Sequence, residues 1–273
     1  MNIHPTSIVS PDAKLGAGVS VGPYAVIEEY TEIGEGSDIR AHAVIKRFTT
    51  LGTASTVYEG AVLGGEPQDV GFVDCRSYLS IGSNNRIREG VTMHRGTQPD
   101  SVTIVGANCF IMANAHVAHN CRLGDGVIIA NNVALAGHVD IQDQVFISGG
   151  VVVHQFCRIG RLAMIGGNSK IVQDCLPFVV TDGVPGRARG LNVVGLRRAG
   201  FNSTGLELLK EGYRRLLRSG LSLEDALGSL EDLDDPLVAQ LIDFARNSSR
   251  GFCHEESKGR RAKGYGQRVR GGN

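Results

Sequence analysis

Along most of this chain an aliphatic residue returns every six positions. From Val105 the series runs Ile111, Val117, Leu123, Ile129, Leu135, Ile141, Ile147, Val153, Ile159, Ile165, Ile171. That spacing fits neither an α-helix, with about 3.6 residues per turn, nor the two-residue alternation of a strand. A fixed period held over many units is the signature of a solenoid. The fifth residue of each unit is small or β-branched, as at Cys109, Ala115, Cys121, Val127, Ala163, Ser169 and Cys175. Together the two positions define the hexapeptide repeat of a parallel β-helix, an all-β solenoid in which three hexads make one turn.

The repeat begins at Ile3, Val9 and Leu15 and continues to Leu63. Phase is lost from Gly64 to Leu79, returns at Ile81, Ile87 and Met93, is lost again from His94 to Thr103, and restarts at Val105. These breaks predict two loops extruded from the solenoid, at about 64–80 and 94–104, and long loops on a regular scaffold tend to carry function. Pro177 ends the repeat, and 177–195 is expected to cross back over the solenoid, closing a β-helix domain over 1–195. The pattern then turns helical. Asn202 or Ser203, Ser222 and Asp235-Pro236 are helix starts, which predicts an α-helical C-terminal domain over 196–250. The polar, basic stretch 251–273 is expected to be a disordered tail.

Thirty-seven glycines and no tryptophan suit short strands and tight corners. Formal net charge is zero, which gives no global case for nucleic acid or an anionic membrane as partner. No apolar run follows the N-terminal residues as in a signal peptide, and none approaches the roughly 20 residues of a membrane span. A cytoplasmic location with no transmembrane segment is therefore expected. Four of the six cysteines, Cys109, Cys121, Cys157 and Cys175, fall on the small inward position, so reduced thiols filling the core are expected.

Repeat arithmetic places side chains in space. Positions three hexads apart stack on adjacent turns, separated by roughly 4.8 Å. His119 therefore lies under Gly137, and Gly137 under Gln155, with His138 and His154 flanking that column and His116 three positions before His119. Half of the eight histidines gather there. Zinc is one reading of such a cluster, but no metal is expected. A single general base, His119, with its neighbours holding a polar substrate, is the reading adopted. A neutral imidazole can accept a proton from a sugar hydroxyl, and Gly137, with no side chain, can aim its N–H at a developing oxyanion.

The segments Asn85-Arg86-Ile87-Arg88-Glu89, Thr92-Met93-His94-Arg95-Gly96-Thr97, Ala115-His116-Val117-Ala118-His119, Leu135-Ala136-Gly137-His138, Val153-His154-Gln155-Phe156-Cys157 and Asn192-Val193-Val194-Gly195-Leu196-Arg197-Arg198 resemble the UDP-N-acetylglucosamine O-acyltransferase family over roughly residues 1–250. The resemblance implies a left-handed β-helix, an exception to right-handed crossovers, assembled as a homotrimer with active sites between subunits. It implies transfer of a 3-hydroxyacyl chain from acyl carrier protein to the sugar 3-hydroxyl, the first step of lipid A biosynthesis, with the carrier thioester as acyl donor and no cofactor. It implies His119 as base and Gly137 as oxyanion donor. Asp69, His116, His138, His154 and Gln155 would contact sugar and phosphate, Asn192 and Arg198 the nucleotide, and Gly167 would measure the acyl chain.

Four positions depart from the family pattern. Gly71 stands where a lysine is usual, Asn120 follows the base in place of aspartate, and Val194 and Ala199 replace an acidic residue and an arginine. Two further readings accompany the main one. One is N-acylation of a 3-amino UDP-sugar, an intrinsically better nucleophile. The other is a catalytically silent trimeric scaffold. Arg158, Arg161, Arg187 and Arg189 are candidates for docking the acidic carrier protein.

Overall fold

A computed structural model describes residues 2–255. Short strands form three sheets, eleven-, nine- and eight-stranded, here called faces A, B and C. Within the solenoid, pairing is parallel and its register advances by three hexads per turn: Phe110 opposes Ile128 on face A, His116 opposes Ala134 on face B, and Arg122 opposes Asp140 on face C. The chain is thus a left-handed parallel β-helix of triangular section with a short C-terminal helical region. The aliphatic residue of each hexad points inward, and Ile111, Val117, Ile129, Leu135 and Ile147 are fully buried in one continuous core. Corners need a residue in the left-handed region, and asparagine, which tolerates it, supplies many of them, including Asn114 (φ 60°), Asn120 (φ 60°) and Asn132 (φ 59°).

Both breaks in the repeat are extruded loops. Val62 opposes Thr92, where an undisturbed repeat would bring Ser80, and Thr92 opposes His116, where it would bring Phe110. The first break therefore inserts the length of two hexads into its turn, and the second inserts one. The strandless portions, 66–77 and 95–101, are shorter than expected. Leu79 and Thr103 already belong to the ladder, where they pair with each other and Leu79 also pairs with Thr49; all three fill the inward position that is small elsewhere. Gly64 opens the first loop at φ +79°, where a Cβ would lie 2.0 Å from Thr49 Oγ1.

The segment 177–195 does more than cross over. Val179–Asp182 adds a further parallel strand to face A, and Arg187–Leu191 pairs antiparallel with it. Among the described residues, four α-helices follow: α1 (Val193–Arg198), α2 (Ser203–Arg218), α3 (Leu223–Gly228) and α4 (Pro236–Arg246). A domain boundary drawn at residue 195 therefore cuts α1. Asn202, Ser222 and Asp235 accept hydrogen bonds from the first-turn amides of α2, α3 and α4, as residues with short acceptor side chains do at helix starts. Tyr213, Leu216, Leu230, Val238 and Phe244 pack on Leu176, Val179 and Ala188 at the end of the solenoid.

The expected disorder from residue 251 does not hold for 251–255. Phe252 bridges Asp174, Cys253 N–H donates to Asp174 O at 2.8 Å, and Cys253 is buried in the solenoid core. The last turn offers unpaired strand edge to this segment, which is why it orders. The remaining tail, 256–273, lies outside the described residues. No helix among the described residues is long and apolar enough to cross a membrane.

Candidate active site

The corner between faces B and C carries the histidines. The strand His116–Val117 belongs to face B and the strand Arg122–Leu123 to face C, so His119 and Asn120 turn the chain between them. The stacking of His119 and Gly137 is close: a Cβ on Gly137 would lie 2.4 Å from His119 Cε1 and 2.6 Å from Nε2. No side chain fits there while the imidazole keeps its place. The buried Gly137 N–H donates to no acceptor among the described residues, so it is free to meet an incoming oxygen.

His119 is oriented from its other side. Its Nδ1 is 3.0 Å from Asn120 Oδ1, and the Asn120 N–H donates to Thr103 Oγ1 at 2.7 Å. An amide oxygen accepts, so Nδ1 carries the proton and Nε2 has the lone pair beside Gly137. Asn120 thus orients the imidazole through an amide oxygen, without a charge to stabilise imidazolium.

The other imidazoles surround this pair. His138 meets His119 edge to face at 5.2 Å and stacks on Phe156 at 4.8 Å. Burial lowers the His138 pKa, helped by His119 and opposed by the carboxylate of Asp69, which the first extruded loop brings within electrostatic reach. His116 stands on the face B strand itself. It bonds Thr92 Oγ1 at 2.8 Å, and burial and then His119 lower its pKa. Among the described residues, no three His, Cys, Asp or Glu side chains form a metal-binding group. Three of the inward thiols are poor nucleophiles, because burial raises Cys109 and Cys157 to about 11 and Cys121 to about 12.

Two buried neighbours of the histidine cluster were not anticipated. His94, 7% exposed, meets His116 edge to face at 4.9 Å, with its Nδ1 buried and unbonded. Burial first, then His116 and His119, push it down to about 4. Arg95, 1% exposed, bonds Ser77 Oγ at 3.0 Å and pairs with Asp74 at 2.8 Å, pinning the loop that carries Asp69.

Of the remaining expected site residues, His154 and Gln155 lie near this pair and Gly167, Asn192 and Arg198 lie elsewhere. His154 and Gln155 continue the B/C corner one turn above Gly137 and are exposed, with His154 Nδ1 3.4 Å from Arg250 Nη2. Gly167 lies at the corner between faces A and B, exposed, where a Cβ would meet nothing closer than 3.5 Å. Asn192 and Arg198 line a mainly apolar groove of about 670 Å³ between face A and α1, with Ile128, Phe146 and Met164. The Asn192 side chain is engaged there, donating to Leu162 O at 2.9 Å and accepting from Gly195 N–H at 3.0 Å. A second cavity, of about 730 Å³, lies between face C and α4 and does not reach His119.

Known proteins share this architecture and its length. Residues 174–253 match the model for domain 2 of UDP N-acetylglucosamine O-acyltransferase, and residues 12–47 and 103–137 match the bacterial transferase hexapeptide model. The acyl-(acyl-carrier-protein)–UDP-N-acetylglucosamine O-acyltransferase of Paraburkholderia phymatum is 46% identical over 258 residues, covering 92% of this chain and 98% of that protein. The chain belongs to the UDP-N-acetylglucosamine O-acyltransferase family. Family members of known structure superpose over nearly their whole length. The enzyme from Moraxella catarrhalis is 40% identical with a TM-score of 0.91, covering 93% of this chain and 100% of that chain. The one from Bacteroides fragilis is 38% identical with a TM-score of 0.90, covering 92% and 99%.

Proposed function

We propose that this acyltransferase moves a 3-hydroxyacyl chain from acyl carrier protein to the 3-hydroxyl of UDP-N-acetylglucosamine, opening lipid A biosynthesis in the cytoplasm. The observation that carries the chemistry is the stacked pair of His119 and Gly137. His119 Nε2 takes the proton of the sugar 3-hydroxyl as its oxygen attacks the thioester carbonyl. The carbonyl oxygen becomes an oxyanion facing the Gly137 N–H. Collapse breaks the C–S bond, and the carrier thiolate leaves with the proton held by the imidazolium. No covalent enzyme intermediate is required. Asp69, His116, His138, His154 and Gln155 hold sugar and phosphate, Asn192 and Arg198 the nucleotide, and the open Gly167 leaves room for a long chain.

The same reading has the chain assemble as a homotrimer, and the geometry supports an assembly. Gly167, Asn192 and Arg198 lie on other faces of the prism than His119, so one protomer cannot present them all to one substrate. The outer side of face A carries the half-buried apolar column Phe110, Ile128, Phe146 and Met164, a surface suited to a neighbouring copy. Incubation with 3-hydroxyacyl carrier protein and UDP-N-acetylglucosamine, followed by product mass, tests the reading. Acylation of only a 3-amino UDP-sugar, or of neither sugar, would overturn it.

A further inference from the structure

We propose that Thr97, on the second extruded loop, is a positioning residue that sets the tautomer of His119 by fixing which way the Asn120 amide faces. The proposal extends the reading of His119 as general base. Asn120 Oδ1 accepts three hydrogen bonds: from Thr97 N–H at 3.1 Å, from Thr97 Oγ1 at 2.9 Å and from His119 Nδ1 at 3.0 Å. An amide side chain can sit in two orientations related by a half-turn, with oxygen and NH₂ exchanged. Thr97 distinguishes them. Its backbone N–H can only donate, so the group facing it must be the oxygen, and the hydroxyl adds a second donor to the same atom.

The consequence reaches the imidazole. With oxygen toward His119, Nδ1 bears the proton and Nε2, beside Gly137, keeps the lone pair that accepts the substrate proton. After a half-turn of the amide, NH₂ would face Nδ1, the proton would move to Nε2, and the ring would have no lone pair on the side where catalysis needs one. A carboxylate at position 120 would need no such control, because its two oxygens are equivalent. Thr97 matters because residue 120 is an amide. The surroundings suit the role: Thr97 is 9% exposed, and Asn120 is held at φ 60° with its own N–H bonded to Thr103 Oγ1 at 2.7 Å. Removing the Thr97 hydroxyl leaves one of two orienting donors.

Two measurements test this. In steady-state kinetics, Thr97→Val is expected to lower kcat about fivefold, the order of one lost hydrogen bond, with KM for the nucleotide sugar unchanged. In the Asn120→Asp background the same substitution is expected to change kcat less than about twofold, since a carboxylate needs no orienting. Independently of turnover, ¹⁵N spectra of histidine-labelled protein, with His119 assigned by its loss in His119→Gln, are expected to show Nδ1 protonated in the wild type. A measurable share of the Nε2–H form should appear in Thr97→Val. Equal kinetic losses in both backgrounds, or an unchanged tautomer in Thr97→Val, would overturn the proposal. If the wild type acylates no nucleotide sugar, the functional reading fails while the tautomer measurement still decides the role of Thr97.

Discussion

A single methyl group on Gly137 would be felt at once by the imidazole of His119, the proposed base. Gly137→Ala places Cβ 2.4 Å from His119 Cε1, so the ring must swing away. Misplacement by about an ångström costs on the order of 100-fold in kcat, and little change is expected in the thermal melting curve because what must move is a side-chain ring, not backbone. His119→Gln is expected to lower kcat by about 10² to 10⁴, the usual share of a general base, with the assembly unchanged by light scattering. His94 makes a pH prediction. Its folded pKa of about 4 lies below the ordinary value of 6.5, so between those values the unfolded chain binds more protons and stability falls as pH drops. The loss levels off below about pH 4, and replacing His94 with Gln should flatten that limb in urea titrations at pH 4 to 7. Counting by three hexads revealed the column of His119, Gly137 and Gln155. It could not reveal His94, because the turn that holds it carries an inserted hexad and falls out of the count.

The extruded loops show how a regular element is interrupted without losing register. Arg95 bridges them, bonding Cys75 O, Ser77 Oγ and Asp74 from the far side of a turn. A buried arginine paired with hydrogen-bonding partners leaves unmet polar groups when removed. Arg95→Leu is therefore expected to free the first loop, seen as faster tryptic cleavage at Arg76 and a raised KM for the nucleotide sugar through Asp69. Loss of phase at Gly64 and His94 disclosed both loops, and capping residues disclosed the starts of α2, α3 and α4. Arginine is seldom fully buried, so nothing in the linear pattern singled out Arg95. The hairpin after Pro177 was hidden for another reason. Its antiparallel strands alternate by two, with Val179 and Thr181 buried and Val180 and Asp182 partly exposed, and a six-residue rule does not detect that alternation.

Over the whole molecule, the repeat explains the fold but not the spread of the proposed site residues over its faces. The inward repeat depends on residues within a protomer and was legible from Ile3 onward. Gly167, Asn192 and Arg198 face away from His119, and a count along the chain gives their places on the prism without saying what they contact. The ordering of 251–255 was also missed, since a short stretch beside a basic tail gives no sign that a strand edge awaits it. That segment is further tied to α2, with Arg218 paired to Glu255 at 2.7 Å. Truncation after Arg250 is expected to lower Tm by several degrees relative to truncation after Glu255, through exposure of Asp174, Cys175 and the paired backbone. The two ends of the ladder differ in kind. At the far end, the hairpin covers Lys170, and residues 251–253 cover Asp174. At the near end, among the described residues, the strands Asn2–Ile3, Ile8–Val9 and Lys14–Leu15 pair on one side. Covering the last turn removes strand edge on which a further copy could stack end to end, whereas a ladder bare at both tips would offer a template for a fibre.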